Sequence, residues 1–159
     1  MYTRILVPVD LQEEDERLRN LALNKAVELC RFCDARLHIL TVVPDVGMPI
    51  VGHYLPPDAG NRIVEEAERL LHEQVTKDIP DDIDIQHIVA QGTVYRRILK
   101  TAKQFGVDLI VMPAHRMTLS EYFIGSNASR VVRFAECSVL VVRAEFDPQI
   151  VCISKGRGN

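Results

Sequence analysis

Gly125, Ser126 and Asn127 form the part of the chain best suited to bind an anion. Apolar residues at helical spacing follow them, so we expect the three to open a helix. At a helix start, free backbone N–H groups and the helix dipole attract negative charge. Gly125 would let the backbone approach a phosphate closely, the Ser126 hydroxyl would add a donor, and Arg116 would supply positive charge nearby. The alternative is an ordinary helix start, because serine is a preferred N-cap residue.

The two common nucleotide-binding motifs are missing from the sequence. No G-x-G-x-x-G follows the first apolar run, and no G-x-x-x-x-G-K-[ST] occurs anywhere. A dehydrogenase and a P-loop enzyme are therefore disfavoured. The sequence also does not assemble a nucleophile with a base and an orienting group, since Ser126 has only His115 as a candidate partner. The pattern favours binding over turnover.

Cys30 and Cys33 form a C-x-x-C motif, which elsewhere signals redox or metal chemistry. Here the motif ends the first predicted helix, whereas a thioredoxin-type pair begins a helix, where the dipole lowers the thiol pKa. Both cysteines continue the apolar stripe of that helix, so we expect them to pack in the core. Cys137 and Cys152 lack the spacing that would complete a zinc site.

Asp10 and the histidines give weaker signals. Asp10 ends the first apolar run, as a phospho-acceptor would, but residues 11 and 12 are Leu and Gln rather than acids. The five histidines include no i, i+4 pair. Only His115 lies where we expect a ligand to bind, in the crevice beyond the carboxyl ends of the predicted strands that is described below. His115 is interpreted equally well as a ligand contact or as a loop residue bonded to the backbone.

Five short apolar runs alternate with segments of helical periodicity. The first run is wholly apolar, which is typical of a strand buried on both faces, and the third alternates strictly, which is typical of a sheet edge. The runs cover residues 5–9, 37–43, 83–89, 109–112 and 139–142. We therefore predict an α/β fold: a doubly wound, Rossmann-like open parallel five-stranded sheet of order 3-2-1-4-5, with helices on both faces.

This fold determines where a ligand would bind. In doubly wound sheets the site lies beyond the carboxyl ends of the strands, where the winding reverses, which for this order is between strands one and four. The predicted binding residues are Pro8, Val9, Asp10, Val42, Met112, Pro113, Ala114, His115, Arg116, Gly125, Ser126 and Asn127. Four prolines and three glycines between Pro44 and Gly60 also predict a long loop, a feature that is often functional.

Composition limits the remaining possibilities. The 159 residues are 47% apolar and 26% charged, as in one soluble domain with a single core. With 19 basic and 22 acidic residues, the net charge of −3 argues against nucleic-acid binding. No apolar run reaches the ~20 residues of a membrane span, and the first residues lack a signal-peptide core. We expect a cytoplasmic protein with reduced thiols.

The opening run from Ile5 to Asp10 and the block from Leu109 to Arg143 resemble the universal stress protein family. The more specific part of this resemblance is the end of the block, where a G-S pair is followed by a helix and then by C-S-V-L-V-V-R. Gly92, which follows the third strand, also matches the family pattern. The similarity extends over residues 1–143, which we interpret as one universal stress protein domain. Residues 144–159 are then a C-terminal tail.

The resemblance implies a cytoplasmic stress-response protein, generally dimeric, in a family in which many members bind ATP. ATP, with Mg²⁺ held by its phosphates, is thus the expected ligand. Those members carry G-x-x-G, nine residues, then G-[ST], and Met112 and His115 stand here in place of the first two glycines. This chain has His-Arg at residues 115–116 and Gly-Ser-Asn at residues 125–127. This form of the motif is similar to that of a subgroup whose members still bind nucleotide. By resemblance, Asp10 and Val42 would meet adenine, residues 112–116 would line ribose and phosphates, and residues 125–127 would cradle the phosphates.

The fifth strand should form the second edge of the sheet. An apolar edge invites pairing with another copy, and a two-fold dimer is the commonest closure. The predicted dimer residues are Val139, Leu140, Val141 and Val142. Two alternatives stay open: a nucleotide-free dimeric interaction protein, with Met112 and His115 filling the crevice, and a slow ATPase.

Overall fold

One parallel five-stranded sheet organises the protein, in a computed structural model that describes residues 1–45, 59–114 and 125–143. The strands are β1 (Arg4–Pro8), β2 (Arg36–Val43), β3 (Ile85–Gln91), β4 (Leu109–Pro113) and β5 (Ser138–Val142). They lie in the order β3-β2-β1-β4-β5, and every neighbouring pair is parallel. The predicted fold is therefore confirmed, including its strand order.

Helices cover both faces of the sheet. The described α-helices are α1 (Glu16–Cys33), α2 (Ala59–Gln74), α3 (Val94–Phe105) and α4 (Ser126–Phe134), and a 3-10 turn at Thr76–Asp78 follows α2. The helices α1 and α2 pack on one face, and α3 and α4 pack on the other. Among these helices, none is long and apolar enough to cross a membrane.

Two hydrophobic cores, one on each face, explain the apolar pattern of the central strands. Leu37 and Leu71 lie in the core beneath α1 and α2, and Leu40 lies in the core beneath α3 and α4. The adjacent residues Ile5 and Leu6 of β1 point into opposite cores, and both are fully buried. Because successive side chains of a strand alternate between faces, a strand covered on both sides must be apolar throughout.

Asp108 fixes the start of β1 beside the start of β4. Its carboxylate accepts hydrogen bonds from the backbone N–H and hydroxyl of Thr3, both at 2.8 Å, and from the backbone N–H of Arg4 at 3.1 Å. Partial burial alone would raise the pKa of Asp108, but these hydrogen bonds outweigh it and hold the pKa below its ordinary value. The contact sets the register between the two strands whose opposite ends flank the candidate site.

The structure corrects several element boundaries. The third strand begins at Ile85 rather than at residue 83, and its residues are all half-buried instead of alternating, although its edge position is as predicted. The second helix begins at Ala59, so the predicted loop from Pro44 to Gly60 loses its last two residues to α2. The rest of that loop, residues 46–58, and the predicted tail at 144–159 lie outside the described residues.

Candidate functional site

A cavity of about 920 Å³ lies where the winding of the sheet reverses. It opens beyond the carboxyl ends of β1, β2 and β4, and the starts of α3 and α4 close one side. This is the position at which doubly wound sheets bind ligands, because the crossovers on either side of the reversal run to opposite faces and leave a crevice. The cavity is therefore the candidate functional site.

Most of the residues predicted from the sequence line this cavity. They are Pro8, Val9, Asp10, Val42, Met112, Pro113, Gly125, Ser126 and Asn127. Ala114 is half-buried just past β4, is not part of the lining, and donates its backbone N–H to Val142 at 2.8 Å. His115 and Arg116 lie outside the described residues.

Helix α2 supplies a wall of the cavity that the sequence analysis missed. Arg62, Ile63, Glu66, Ala67 and Leu70 face the space, and their spacing of one, three or four residues marks a single helix face. The apolar members of this group, Ile63, Ala67 and Leu70, recur at helical spacing in the sequence. This apolar stripe on α2 was the available signal in the sequence. The spacing alone does not distinguish the stripe residues that are buried in the core from those that face the cavity.

The floor of the cavity is held by bonds between β1 and β2. The Val9 backbone N–H donates to the Leu40 carbonyl at 2.8 Å, and the Thr41 hydroxyl donates to the Val9 carbonyl at 3.1 Å. Asp10 comes next, and its Oδ1 accepts a hydrogen bond from the Gln12 backbone N–H at 2.9 Å. The carboxylate is thus oriented by the backbone that follows it.

Two helix N-termini border the same cavity. Gly125 is the N-cap of α4 and Thr93 is the N-cap of α3, and at neither start does a side chain make a capping hydrogen bond. Ser126 is the first helical residue, so its side chain does not cap α4, whereas the alternative of an ordinary helix start at Gly125-Ser126 stays open, with Gly125 as the N-cap. Thr93 occupies the N-cap position of α3, but its hydroxyl does not serve as the cap.

The charged side chains at the cavity are few and of mixed sign. Within its described lining, the titratable side chains are Asp10, Arg62 and Glu66. A hydrogen bond from the Arg69 guanidinium holds the pKa of Glu66 below its ordinary value, so the carboxylate is charged at neutral pH. These three side chains sum to a formal charge of −1, so any preference of the cavity for an anion must come from the two helix starts.

The C-x-x-C motif is structural, as predicted. Cys30 is buried in the core beneath α1, and Cys33 packs against that core. Burial, with a smaller contribution from Cys33, raises the pKa of Cys30 to about 12, which makes its thiol unreactive at neutral pH. Across residues 1–45, 59–114 and 125–143, no three His, Cys, Asp or Glu side chains are grouped so that they could hold a metal ion as they stand.

An open, doubly wound sheet with a cavity at its reversal point defines the class of ligand-binding α/β proteins built on a Rossmann-like fold. Comparison with known proteins narrows this class. The chain belongs to the universal stress protein family, whose sequence model matches residues 1–143.

Individual relatives agree with this assignment. Universal stress protein G of Shigella flexneri is 32% identical over 146 residues, which cover 90% of this chain and 100% of that protein. The structure of universal stress protein UspA from Lactobacillus plantarum aligns with a TM-score of 0.65 at 30% identity, covering 89% of this chain and 98% of that one. A universal stress protein in complex with cAMP has the same fold, with a TM-score of 0.57 at 20% identity over 91% of this chain and 98% of that one.

Proposed function

We propose that this universal stress protein is a cytoplasmic stress-response regulator that binds ATP, or a related adenine nucleotide, in the cavity. The pair of helix N-termini carries this proposal. Because α3 after Thr93 and α4 after Gly125 both start without a side-chain cap, their first-turn N–H groups are available to a ligand. Two helix dipoles that border one cavity favour a ligand with several negative charges, such as a triphosphate.

The start of α4 is the place for the phosphates. Gly125, Ser126 and Asn127 line the cavity there, and Gly125 has no Cβ between its backbone and the space. The phosphates would carry Mg²⁺ with them, since the described lining offers no cluster of carboxylates for a metal ion of its own. The volume of about 920 Å³ lies within the range of small-molecule sites, roughly 300–1,000 Å³.

The opposite end of the cavity suits the adenine. One Asp10 carboxylate oxygen is held by the Gln12 backbone, and the other would accept a hydrogen bond from the adenine amino group. Val42 is half-buried beside it and would pack against the flat base. The relative in complex with cAMP supports an adenine nucleotide as the class of ligand.

Met112 bears on the nucleotide-free alternative, in which this side chain fills the crevice. Met112 is only 4% exposed and belongs to the core beneath α3 and α4. Its side chain therefore packs largely into the protein, and a cavity remains beside it. This arrangement favours nucleotide binding over a filled crevice.

Thermal denaturation with Mg²⁺ and ATP tests the proposal. We expect 1 mM ATP to raise the melting temperature, because a ligand that binds only the native state stabilises it by mass action. Gly125→Val should abolish the shift: φ −51° and ψ 155° are open to valine, so the added side chain occupies the phosphate position without straining the backbone. Gln104→Ala, at an exposed position of α3, is the matched control and should keep the shift.

Two outcomes would count against the proposal, one against ATP as the ligand and one against the start of α4 as its phosphate site. No shift at millimolar ATP would leave the nucleotide-free interaction protein as the function. An equal shift in the Gly125→Val variant would place the nucleotide elsewhere. Release of inorganic phosphate, measured on the same samples, separates simple binding from slow hydrolysis; we expect none above the rate of free ATP.

We further propose that the protein is a homodimer joined through β5. This strand is an edge of the sheet, and Leu140 on it is 37% exposed. The Ser138 N–H donates to Asp108, and the Val142 carbonyl accepts from Ala114, so these two residues face β4. Since alternate residues of a strand direct their N–H and C=O groups to opposite sides, Val139 and Val141 present theirs to the open edge. A second copy could pair with them across a two-fold axis.

A further inference from the structure

A second, separate cavity of about 410 Å³ lies between the outer face of α2 and the edge strand β3. From α2 it is lined by Glu65, Glu68, Arg69 and His72, and from β3 by His87 and Val89. The α2 residues that line the nucleotide cavity belong to a different face of the helix. The two cavities therefore share a helix but no lining residue.

Two imidazole rings meet in this second cavity. The ring centroids of His72 and His87 are 4.3 Å apart, and the ring planes are tilted by 48°. Two imidazoles bound to one tetrahedral zinc ion through bonds of about 2.0–2.1 Å have centroids roughly 5 Å apart. The observed separation is thus within a small side-chain movement of a shared ion.

Thr76 holds one of these rings in an orientation suited to a metal. The Thr76 Oγ1 lies 2.7 Å from the Nε2 of His87 and also donates to the Leu71 carbonyl at 3.4 Å. In the tautomer that carries its proton on Nε2, His87 donates to the Thr76 hydroxyl, whose own proton is then directed to Leu71, and Nδ1 keeps a free lone pair. Metal-binding histidines almost always donate their second N–H to an oxygen in this way.

The charges around the rings favour a cation. Arg69 is engaged by Glu66 at 2.6 Å and by Glu73 at 2.6 Å. In the part of the chain that the structure describes, Glu65 and Glu68 have no cationic partner. Glu68 is also four residues before His72, so both side chains lie on one helix face.

We propose that His72 and His87 form a binding site for a divalent transition-metal ion of the zinc type. Solvent completes the coordination, and Glu68 is the carboxylate placed to join when its side chain turns toward the rings. Imidazole selects such ions over Mg²⁺ and Ca²⁺, which prefer oxygen ligands. The bound ion would tie α2 to the edge strand, independently of any nucleotide.

Titration calorimetry of the full chain with zinc chloride tests this site. We expect one zinc ion per chain, and at least a tenfold loss of affinity in both His72→Gln and His87→Gln, because glutamine keeps much of the size but is a poor zinc ligand. His72 is exposed, so its substitution leaves the fold intact even if the His87 variant is less stable. Magnesium chloride at the same concentration should not compete.

The role of Thr76 is tested by a conservative pair. Thr76→Val should weaken zinc binding by about tenfold, and Thr76→Ser should restore it, since only the hydroxyl orients His87. Zinc binding that survives both histidine substitutions would assign the ion to the thiols and overturn the proposal. The absence of zinc binding at millimolar concentration, or equally strong magnesium binding, would overturn it as well.

Discussion

The hydroxyl of Thr41 donates a 3.1 Å hydrogen bond to the backbone carbonyl of Val9, joining the carboxyl ends of β1 and β2 beneath the cavity proposed to bind a nucleotide. Thr41 is buried, so water does not replace this bond if it is lost. Asp10, the residue proposed to meet adenine, comes directly after Val9. The bond therefore links the stability of the sheet to the position of a candidate ligand contact.

Thr41→Val should lower the free energy of unfolding by about 1–2 kcal/mol, because it removes a buried hydrogen bond while keeping the side-chain shape. Urea denaturation measures the change, with the slope against urea expected to stay constant. Thr93→Val is the matched control: Thr93 is exposed and makes no capping bond, so we expect a change below about 0.5 kcal/mol. Equal stability of the wild type and the Thr41 variant would show that the bond contributes nothing.

Two glycines with positive φ should respond differently to alanine. Gly106 ends α3 in the left-handed region, with φ 61°, and Gly106→Ala should cost about 1 kcal/mol. A Cβ would meet the end of an arginine side chain at both positions, 3.0 Å from the Arg97 Nε at Gly92 and 2.9 Å from the Arg4 Nη1 at Gly106. The two positions differ in the backbone: φ 127° at Gly92 lies outside the left-handed region that alanine can enter, so Gly92→Ala should cost more, about 2–3 kcal/mol. Gly92 lines the cavity, so ATP binding should weaken only in its variant. A larger loss of stability in the Gly106 variant would contradict this order.

The buried His38 should make the protein less stable in mild acid. Burial, and then the nearby Arg36 and Arg4, lower the pKa of His38 from its ordinary value near 6.5. The unfolded chain therefore binds a proton more readily, so this stability is present above about pH 6.5 and is lost as the pH falls from there toward the folded pKa. Urea denaturation at pH 7.5 and pH 5.5 measures the loss. His38→Leu should reduce the difference between the two values; an unchanged difference would assign it to other groups.

Cys30 should resist alkylation in the native state. Its pKa is raised to about 12 by burial and by the neighbouring Cys33, so almost no thiolate exists at pH 8. Mass spectrometry after iodoacetamide treatment should find Cys30 unmodified in native protein and modified in urea. Modification of native Cys30 at the rate of a free thiol would show that α1 opens or that the motif is reactive.

The sheet could be predicted from the sequence because burial leaves a direct pattern. Residues such as Ile5 and Leu6 must both be apolar when each faces a core, and this requirement, with the alternation of strands and helices, defines the strand order. The cap of α4 was harder to predict. Serine is a frequent N-cap, but the backbone turns into the helix one residue earlier, at Gly125.

Contacts between distant elements could not be predicted from the sequence. His72 and His87 are separated by 15 positions and show no ligand spacing, yet the pairing of His87 with Ile39 in the sheet brings the two rings together. The wall that α2 adds to the candidate functional site has the same origin. In both cases the relevant quantity is the position of a helix over a strand, which tertiary packing determines.

The open edge of β5 gives the sharpest test of dimerisation. Val141→Pro removes an N–H that faces outward, so it should spare the ladder with β4 while weakening a dimer that pairs along this edge by at least tenfold. Val141→Thr keeps both the N–H and the branched shape, so it should dimerise like the wild type. Sedimentation at several concentrations measures the association, and circular dichroism verifies that each variant is folded. A wild-type chain that stays monomeric, or a folded proline variant that dimerises equally well, would exclude β5 as the interface.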